Sequence, residues 1–516
     1  MALTRKEEIE ELIELRRKAS LGGGEERIEN LKKKGKLSVR ERITKLLDPG
    51  SFHEIQGFRM TRIHEFGMQK KAILGDGCVT GYGTIDGRMV FVFAHDATVF
   101  GGSLGEAFGE KIAELMDQAA KVGAPIIGLN DSGGARIQEG VASLYAYAKI
   151  FNRNVRASGV VPQISVILGA CAGGAVYSPA LTDFIFMVEN TSQMMITGPQ
   201  VIKAVTGEEI GMEALGGASV HTTKTGVAHF SAPTEKEVFR MVRELVSYLP
   251  SNNADEAPLS PQTDSPDRQD KELNKIVGAS EKSYDMIEVL ERIFDKGTLF
   301  QAGSNHAPNI ITAFARLFGK SVGIIANNPQ AMAGTLDVNA SNKAARFIRF
   351  CNAFSIPVIT FVDTPGYLPG VQQEHTGIIK HGSKLLYAYG EATVPLVTVI
   401  TRKAYGGAYV AMCSPPNADV VYAWPSAEIA VMGAQGAANI IYRREIMSSP
   451  NPDKVRQERI EEYSQKFDNP YQAAHLGLVS EVIVPSETRP RLISALTMLQ
   501  NKRTEPIPRK HGLAPL

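Results

Sequence analysis

Gln163-Ile164-Ser165-Val166-Ile167-Leu168 is an apolar run with the look of a buried strand, and Gly169-Ala170-Cys171-Ala172-Gly173-Gly174-Ala175 carries it straight into a helix start. The arrangement returns later in the chain. Leu396 to Ile400 is again a strand, and Arg402-Lys403-Ala404-Tyr405-Gly406-Gly407-Ala408-Tyr409 again turns into a helix. Working outward from this pair, Pro162 maps to Pro395 at the same interval that relates Gly173, Gly174 and Ala175 to Gly406, Gly407 and Ala408. At an interval one residue shorter, Gly87 maps to Gly319, Gly102 to Gly334, Lys111 to Lys343, Pro125 to Pro357 and Asp131 to Asp363. Unrelated residue types holding one spacing over so long a stretch mark a tandem duplication.

Each copy contains a strand, a helix, a second strand ending in an Asp-containing turn, and a third strand running into the Gly-Gly-Ala helix start. Met89 to Phe93 and Pro125 to Leu129 are buried strands with the helical period of Glu106 to Val122 between them, so the expected class is an α/β layered fold. Before them, Gly75 to Ile85 alternates as antiparallel strands do, and residues 1 to about 50 read as helices. Ser38-Val39-Arg40-Glu41 is a capping box that opens a short helix ending at Asp48-Pro49-Gly50. Pro250 to Asp270, with three prolines inside it and many Ser, Asn and Asp residues, breaks the pattern. The expected organisation is an N-terminal domain over 1–250 with a helical extension, a linker over 251–275, and a C-terminal domain over 276–516. Lys454 to Tyr471 looks like a charged amphipathic helix, and Thr504 to Leu516 like an irregular tail.

A chain of 516 residues exceeds one core. With 43% apolar and 22% charged residues and a net charge of +1, it has the make-up of an ordinary globular protein and no overall nucleic-acid-binding charge. No uninterrupted apolar run reaches the length of a membrane span. Met1 to Arg17 is Glu-rich without an apolar core, so neither a signal nor a transit peptide is expected and a cytoplasmic location is. Cys78, Cys171, Cys351 and Cys413 are widely separated, which predicts free thiols and no metal site.

The chemistry concentrates in the duplicated turns. N–H groups at a helix start lack intrahelical partners, and glycine lets a ligand approach them, so each Gly-Gly turn reads as a backbone oxyanion hole. Such glycines also serve tight helix-on-sheet packing; their recurrence in both copies favours two catalytic turns. Asp131 and Asp363, each at the end of a buried strand, are candidates for a helix cap, a turn-maker or a base, with turn-making favoured. His375 and His381, with Glu374 and Lys380, are either acid-base groups or helix-surface residues. Lys32, Lys33, Lys34 and Lys36 form a solvated face or a phosphate contact. There is no Gly-x-Ser-x-Gly elbow, His-Glu-x-x-His or Walker loop.

NDSGGARIQEG (Asn130 to Gly140), GACAGGAVYSPA (Gly169 to Ala180), DTPGYLP (Asp363 to Pro369), RKAYGGAY (Arg402 to Tyr409) and WPSAEIAVMGAQG (Trp424 to Gly436) together resemble the carboxyltransferase subunit of biotin-dependent acyl-CoA carboxylases. The nearest type is the propionyl-CoA carboxylase beta subunit, and the similarity extends to the N-terminal GKLSVRER and the terminal Lys510-His511-Gly512. The resemblance implies two tandem crotonase-like domains of the ClpP/crotonase ββα-superhelix type, assembled as a homohexamer, a trimer of dimers. It implies transfer of a carboxyl group between carboxybiotin and a short-chain acyl-CoA, the propionyl-CoA/methylmalonyl-CoA pair, with acyl-CoA held by the first domain and biotin entering against the second. Carried over by position, Gly173 and Gly174 stabilise the thioester enolate and Gly407 and Ala408 the biotin ureido oxygen. Gly133, Gly134, Ala135, Gly406 and Val410 are the expected substrate-binding positions.

No Ala-Met-Lys-Met type hairpin and no ATP module occur, so biotin is expected on a partner, a biotin carboxyl carrier or biotin carboxylase subunit. Many propionyl-CoA carboxylases have Asp where this chain has Val410. Ala411-Met412-Cys413-Ser414 more resembles the alpha chain of sodium-pumping methylmalonyl-CoA decarboxylases and transcarboxylase, which run the half-reaction in reverse. A bulky residue at either Gly-Gly turn is expected to abolish transfer with modest loss of fold. An idle scaffold would have damaged glycine turns, and both are intact; a plain hydratase would not need the second.

Overall fold

A computed structural model describes residues 4–262, 264–277, 283–504 and 507–515. The chain divides into two compact units, Met1–Glu256 and Ala257–Leu516, each built on an eight-stranded sheet. The expected linker includes residue 263, and the expected second domain includes 278–282, 505–506 and 516; these lie outside the described residues.

Helices Arg5–Leu21, Glu25–Lys33 and Val39–Leu46 open the first unit. The capping box forms: Ser38 Oγ accepts the Glu41 N–H at 3.3 Å and the Glu41 carboxylate accepts the Ser38 N–H at 2.9 Å. The strands are β1 (His53–Ile55), β2 (Cys78–Ile85), β3 (Arg88–His95), β4 (Ile126–Ser132), β5 (Gln163–Ala172), β6 (Phe184–Val188), β7 (Gln193–Met195) and β8 (Phe230–Ala232). Their order is β1-β2-β3-β4-β5-β6-β8, with β7 added to β5. The β1–β2 and β2–β3 pairs are antiparallel and the sheet is parallel from β3 onward.

The second unit repeats this plan with β9 (Phe300–Gln301), β10 (Ile310–Leu317), β11 (Lys320–Asn327), β12 (Val358–Thr364), β13 (Leu396–Tyr405), β14 (Val420–Ala423), β15 (Glu428–Ala430) and β16 (Glu481–Val482). Here β15 pairs β13 as β7 pairs β5. Every residue of β4 and of β12 is buried, as strands covered on both faces require.

The hairpins show why the glycine spacing recurs. Asp86 and Gly87 have φ of 49° and 76°, and Phe318 and Gly319 have 52° and 77°, the signature of a two-residue type I′ turn. A carboxylate closes each turn. Asp48 accepts the N–H groups of Asp86 and Gly87 at 3.1 and 2.9 Å, and Asp295 those of Phe318 and Gly319 at 3.1 and 2.8 Å. Arg243 holds the first (2.8 Å) and Arg489 the second (2.7 Å).

The repeated lysines are buried clamps. Lys111 Nζ donates to the carbonyls of Gly75 (3.0 Å) and Cys78, and Lys343 Nζ to those of His306, Ala307 and Ile310 at 2.8, 3.3 and 2.7 Å. Burial lowers both ammonium groups, Lys343 to about 7.

Over the first sheet, helices Glu106–Val122 and Val141–Ala157 touch along Gly109, where a Cβ would come within 2.6 Å of the Ala146 methyl. Helices Val338–Ala353 and Ile378–Glu391 take the same part in the second unit. The proline-rich stretch runs against its own unit: the Ser260 N–H reaches Gly319 O (2.9 Å), and Arg268 caps the carbonyls of Arg292 (2.6 Å) and Phe294 (2.7 Å). All four cysteines are free and buried. Among the described residues, no helix is long and apolar enough to cross a membrane.

Candidate active site

Each site begins with a bulge. Pairing between β4 and β5 slips between Asn130 and Ser132, and pairing between β12 and β13 slips between Val362 and Thr364, so both irregularities centre on the repeated aspartate. A bulge re-aims the side chain it carries. Asp131 is thereby turned onto Arg42 (3.1 Å) and Lys36 (3.6 Å), and Arg42, 2% exposed, also binds Glu235 at 2.8 Å and Leu168 O at 3.3 Å. Asp363 is turned onto Arg402 Nε at 3.0 Å and accepts the Lys403 N–H at 3.2 Å. Burial raises the Asp363 carboxyl, and the Arg402 guanidinium opposes that rise.

The two carboxylates are matched by arginines from different places. At the interval of the glycine turns, Arg402 corresponds to Gly169, where a Cβ would fall on the Asp131 carboxylate. The first copy keeps that position empty and takes its cation from helix Val39–Leu46. In both copies the aspartate N–H donates to a side chain on the neighbouring strand, to His95 Nδ1 at 3.4 Å and Asn327 Oδ1 at 3.2 Å. Burial lowers His95 to about 4, which keeps that nitrogen an acceptor. Both aspartates are therefore strand anchors, where turn-making was expected. Lys36 and Arg42, missed as site residues, lie within the GKLSVRER segment.

Above each anchor lies the glycine turn. Gly173 (φ 60°) and Gly406 (φ 56°) take the left-handed conformation that glycine tolerates best. Each is backed by the carbonyl after the added strand, Ile196 O in the first unit and Val431 O in the second. The Gly173 N–H is consumed inside the fold, donating to Ile196 O at 3.0 Å and Met195 O at 3.2 Å. Among the described residues, no backbone carbonyl takes the N–H of Gly174 or Ala175, nor that of Gly407 or Ala408. These four amides are equivalent pairs at the repeat interval. Gly407 is open, its Cβ position 4.0 Å from the nearest atom, Tyr367 Cδ2, whereas a Cβ on Gly174 would stand 2.8 Å from the Tyr147 ring.

Gly133, Gly134 and Ala135, expected to bind substrate, form a single loop. Gly133 and Gly134 use their N–H groups internally, to Gly101 O (3.1 Å) and Ser132 Oγ (3.2 Å), and Leu104 bridges to Ala135. Gly134, at φ 99°, lies against Ala172 O, which places this loop beside the first turn. Val410 is 49% exposed. His375 is exposed on a short helix, and His381 meets Asn342 Oδ1 at 3.0 Å, so both are helix-surface residues. Among the described residues, no group of three or more His, Cys, Asp or Glu side chains is placed to hold a metal.

The carboxyl transferase domain model matches residues 30–514. The chain belongs to the carboxyl transferase domain family. This family member is 58% identical over 516 residues to the propionyl-CoA carboxylase carboxyltransferase subunit of Haloferax mediterranei, covering 100% of both chains. It is 55% identical over 515 residues to the methylmalonyl-CoA decarboxylase alpha subunit of Veillonella parvula, covering 99% of this chain and 100% of that one. Among solved structures, the transcarboxylase 12S hexamer with methylmalonyl-CoA and methylmalonic acid bound superposes at a TM-score of 0.98 with 50% identity, covering 100% of this chain and 99% of that one. The fold is the crotonase-like α/β fold of such carboxyl transferases, present here in two copies.

Proposed function

We propose that this carboxyl transferase moves a carboxyl group between biotin borne on a partner chain and a short-chain acyl-CoA, propionyl-CoA and methylmalonyl-CoA being the pair. The observation that carries it is the duplicated turn, with the neighbouring unengaged amides of Gly174 and Ala175 in one unit and of Gly407 and Ala408 in the other. Relatives named for these two thioesters supply the substrate class. A homohexamer is proposed on the likeness to the 12S hexamer.

Carboxybiotin supplies the carboxyl group and a ureido nitrogen able to take a proton. The first turn binds the thioester oxygen as the α-proton leaves and the enolate forms; the second binds the ureido oxygen as its negative charge develops. The enolate α-carbon would then bond to the carbon dioxide, so that overall the donor's N–C bond and the acyl α C–H bond break while a C–C bond and a ureido N–H bond form, with no net redox change. Backbone donors fixed before the reaction stabilise developing charge without reorganising, so no side-chain triad is required. Gly173, with its amide consumed, acts as the pivot of the first turn, and the donors sit one residue further on.

Supplied with free biotin, the protein is expected to decarboxylate methylmalonyl-CoA, and given only ATP and bicarbonate it is expected to carboxylate nothing. Release of labelled carbon dioxide measures the first, and absence of biotin-dependent release would sink the reading. The reverse direction, with this chain as a decarboxylase alpha subunit or transcarboxylase core, is favoured by the Veillonella relative and the 12S likeness. Neighbouring genes for a biotin carboxylase or for a multi-span pump separate the two directions.

Val410 follows the second turn in the helix Gly406–Ala411 and is half exposed, which supports an apolar contact with substrate there. An apolar contact there discriminates acyl chains by about 10- to 200-fold at most. Val410→Asp is expected to change the ratio of kcat/KM for propionyl-CoA to that for acetyl-CoA or butyryl-CoA without abolishing transfer. Unchanged ratios across the series would remove Val410 from the selectivity.

A further inference from the structure

The two units differ beneath their turns, and the duplication serves as an internal control. Tyr405, the residue before Gly406-Gly407, donates its hydroxyl to Glu428 of β15, and the same oxygen lies 3.4 Å from Asp468 Oδ2. Asp468 caps helix Pro452–Phe467, is 7% exposed, and its Oδ1 has no hydrogen-bond partner among the described residues. The Tyr405 ring also packs on Gly433, where a Cβ would stand 3.2 Å from Cε2, just ahead of helix Ala434–Ile441. In the first unit the residue before the glycines is Ala172. There the strand register, Ala170 opposite Gln193 as Lys403 is opposite Glu428, puts Gln193 at the place of Glu428. At the two places the first unit has Ala172 and Gln193, and the Gln193 amide donates to Glu213 at 3.1 Å in place of a phenol–carboxylate contact.

We propose that Tyr405, Glu428 and Asp468 form a positioning cluster that holds the second glycine turn for the oxygen it binds, and that this cluster specialises the second copy. The inference rests on the proposed assignment of that turn to biotin. A phenol has one proton to donate, and it goes to Glu428. Asp468 therefore bonds to Tyr405 only as the protonated acid, donating to the phenolic oxygen, and in that state the cluster carries a single negative charge. Burial and the Glu428 charge push Asp468 up to about 6, opposed by the Ala434 amide and Lys403. As pH falls through that value the chain Asp468–Tyr405–Glu428 closes; as pH rises the two carboxylates repel across the phenol.

The test is biotin-dependent decarboxylation of methylmalonyl-CoA with free biotin and thioester varied separately. Tyr405→Phe is expected to lower kcat/KM for biotin by about 10-fold while KM for the thioester stays within about 2-fold, a split that general loss of structure would not produce. Asp468→Ala is expected to behave like Tyr405→Phe. Asp468→Asn, which keeps a neutral donor, is expected to match the wild type below pH 6 and exceed it above. Equal loss toward both substrates, identical behaviour of the Ala and Asn variants, or a wild-type to Asn ratio independent of pH would each overturn the cluster. A wild type lacking biotin-dependent turnover would overturn the functional reading instead, whereas an active wild type with an unaffected Tyr405→Phe variant would overturn this inference alone.

Discussion

Gly407→Val is expected to lower biotin-dependent carboxyl transfer by about 10²- to 10³-fold, the loss of one oxyanion donor, because the new side chain would keep the substrate oxygen off the amide. The fold should barely register it. Gly407 is exposed, has no positive φ, and its Cβ position meets nothing closer than Tyr367 Cδ2 at 4.0 Å, so a side chain there extends into the space above the unengaged amides. Turnover and thermal unfolding measured together decide the matter: near-normal turnover in a folded variant would return Gly407 to a packing role. Gly174→Val is not an equivalent probe, because its Cβ would stand 2.8 Å from the Tyr147 ring. Overpacking of that kind costs about 1–3 kcal/mol, so activity and stability are expected to fall together. The expectation of modest fold loss at both turns therefore survives only at the second.

Arg42→Ala is expected to destabilise the protein by about 3–5 kcal/mol, the cost of breaking a buried ion pair by removing one partner. Arg42 is the shared cation of Asp131 and Glu235, all three are buried, and it also caps Leu168 O on the strand that leads into the first turn. For a unit of this size the loss corresponds to a fall in Tm on the order of 10 °C. Differential scanning calorimetry measures it, and a shift of a degree or less would show that Lys36, 3.6 Å from Asp131, carries the charge alone.

Features written in local backbone conformation were legible before any coordinates. The apolar runs of β4 and β12, the Ser38–Glu41 capping box, the glycines at 87 and 319 and the glycine pairs at both turns each follow from a few neighbouring residues, and the duplication made them legible twice. What escaped was set by residues distant in the chain. Asp48 and Asp295 close equivalent hairpins from Asp-x-Gly-Ser/Thr segments, Asp48 to Ser51 and Asp295 to Thr298, yet they stand off the repeat interval and so escaped the mapping. Asp131 and Asp363 read as turn residues because nothing near them announces the charge each meets, supplied by a helix of the extension in one copy and by β13 itself in the other. The amide at Gly173 looked as available as its neighbour until β7, folded alongside β5, brought Ile196 O against it. Periodicity, turn chemistry and capping are determined within a few residues by sterics and hydrogen bonding. Which charge is paired, which N–H is spent and which is left to act depends on segments that meet only when the sheets have formed, and that was decided by the tertiary structure alone.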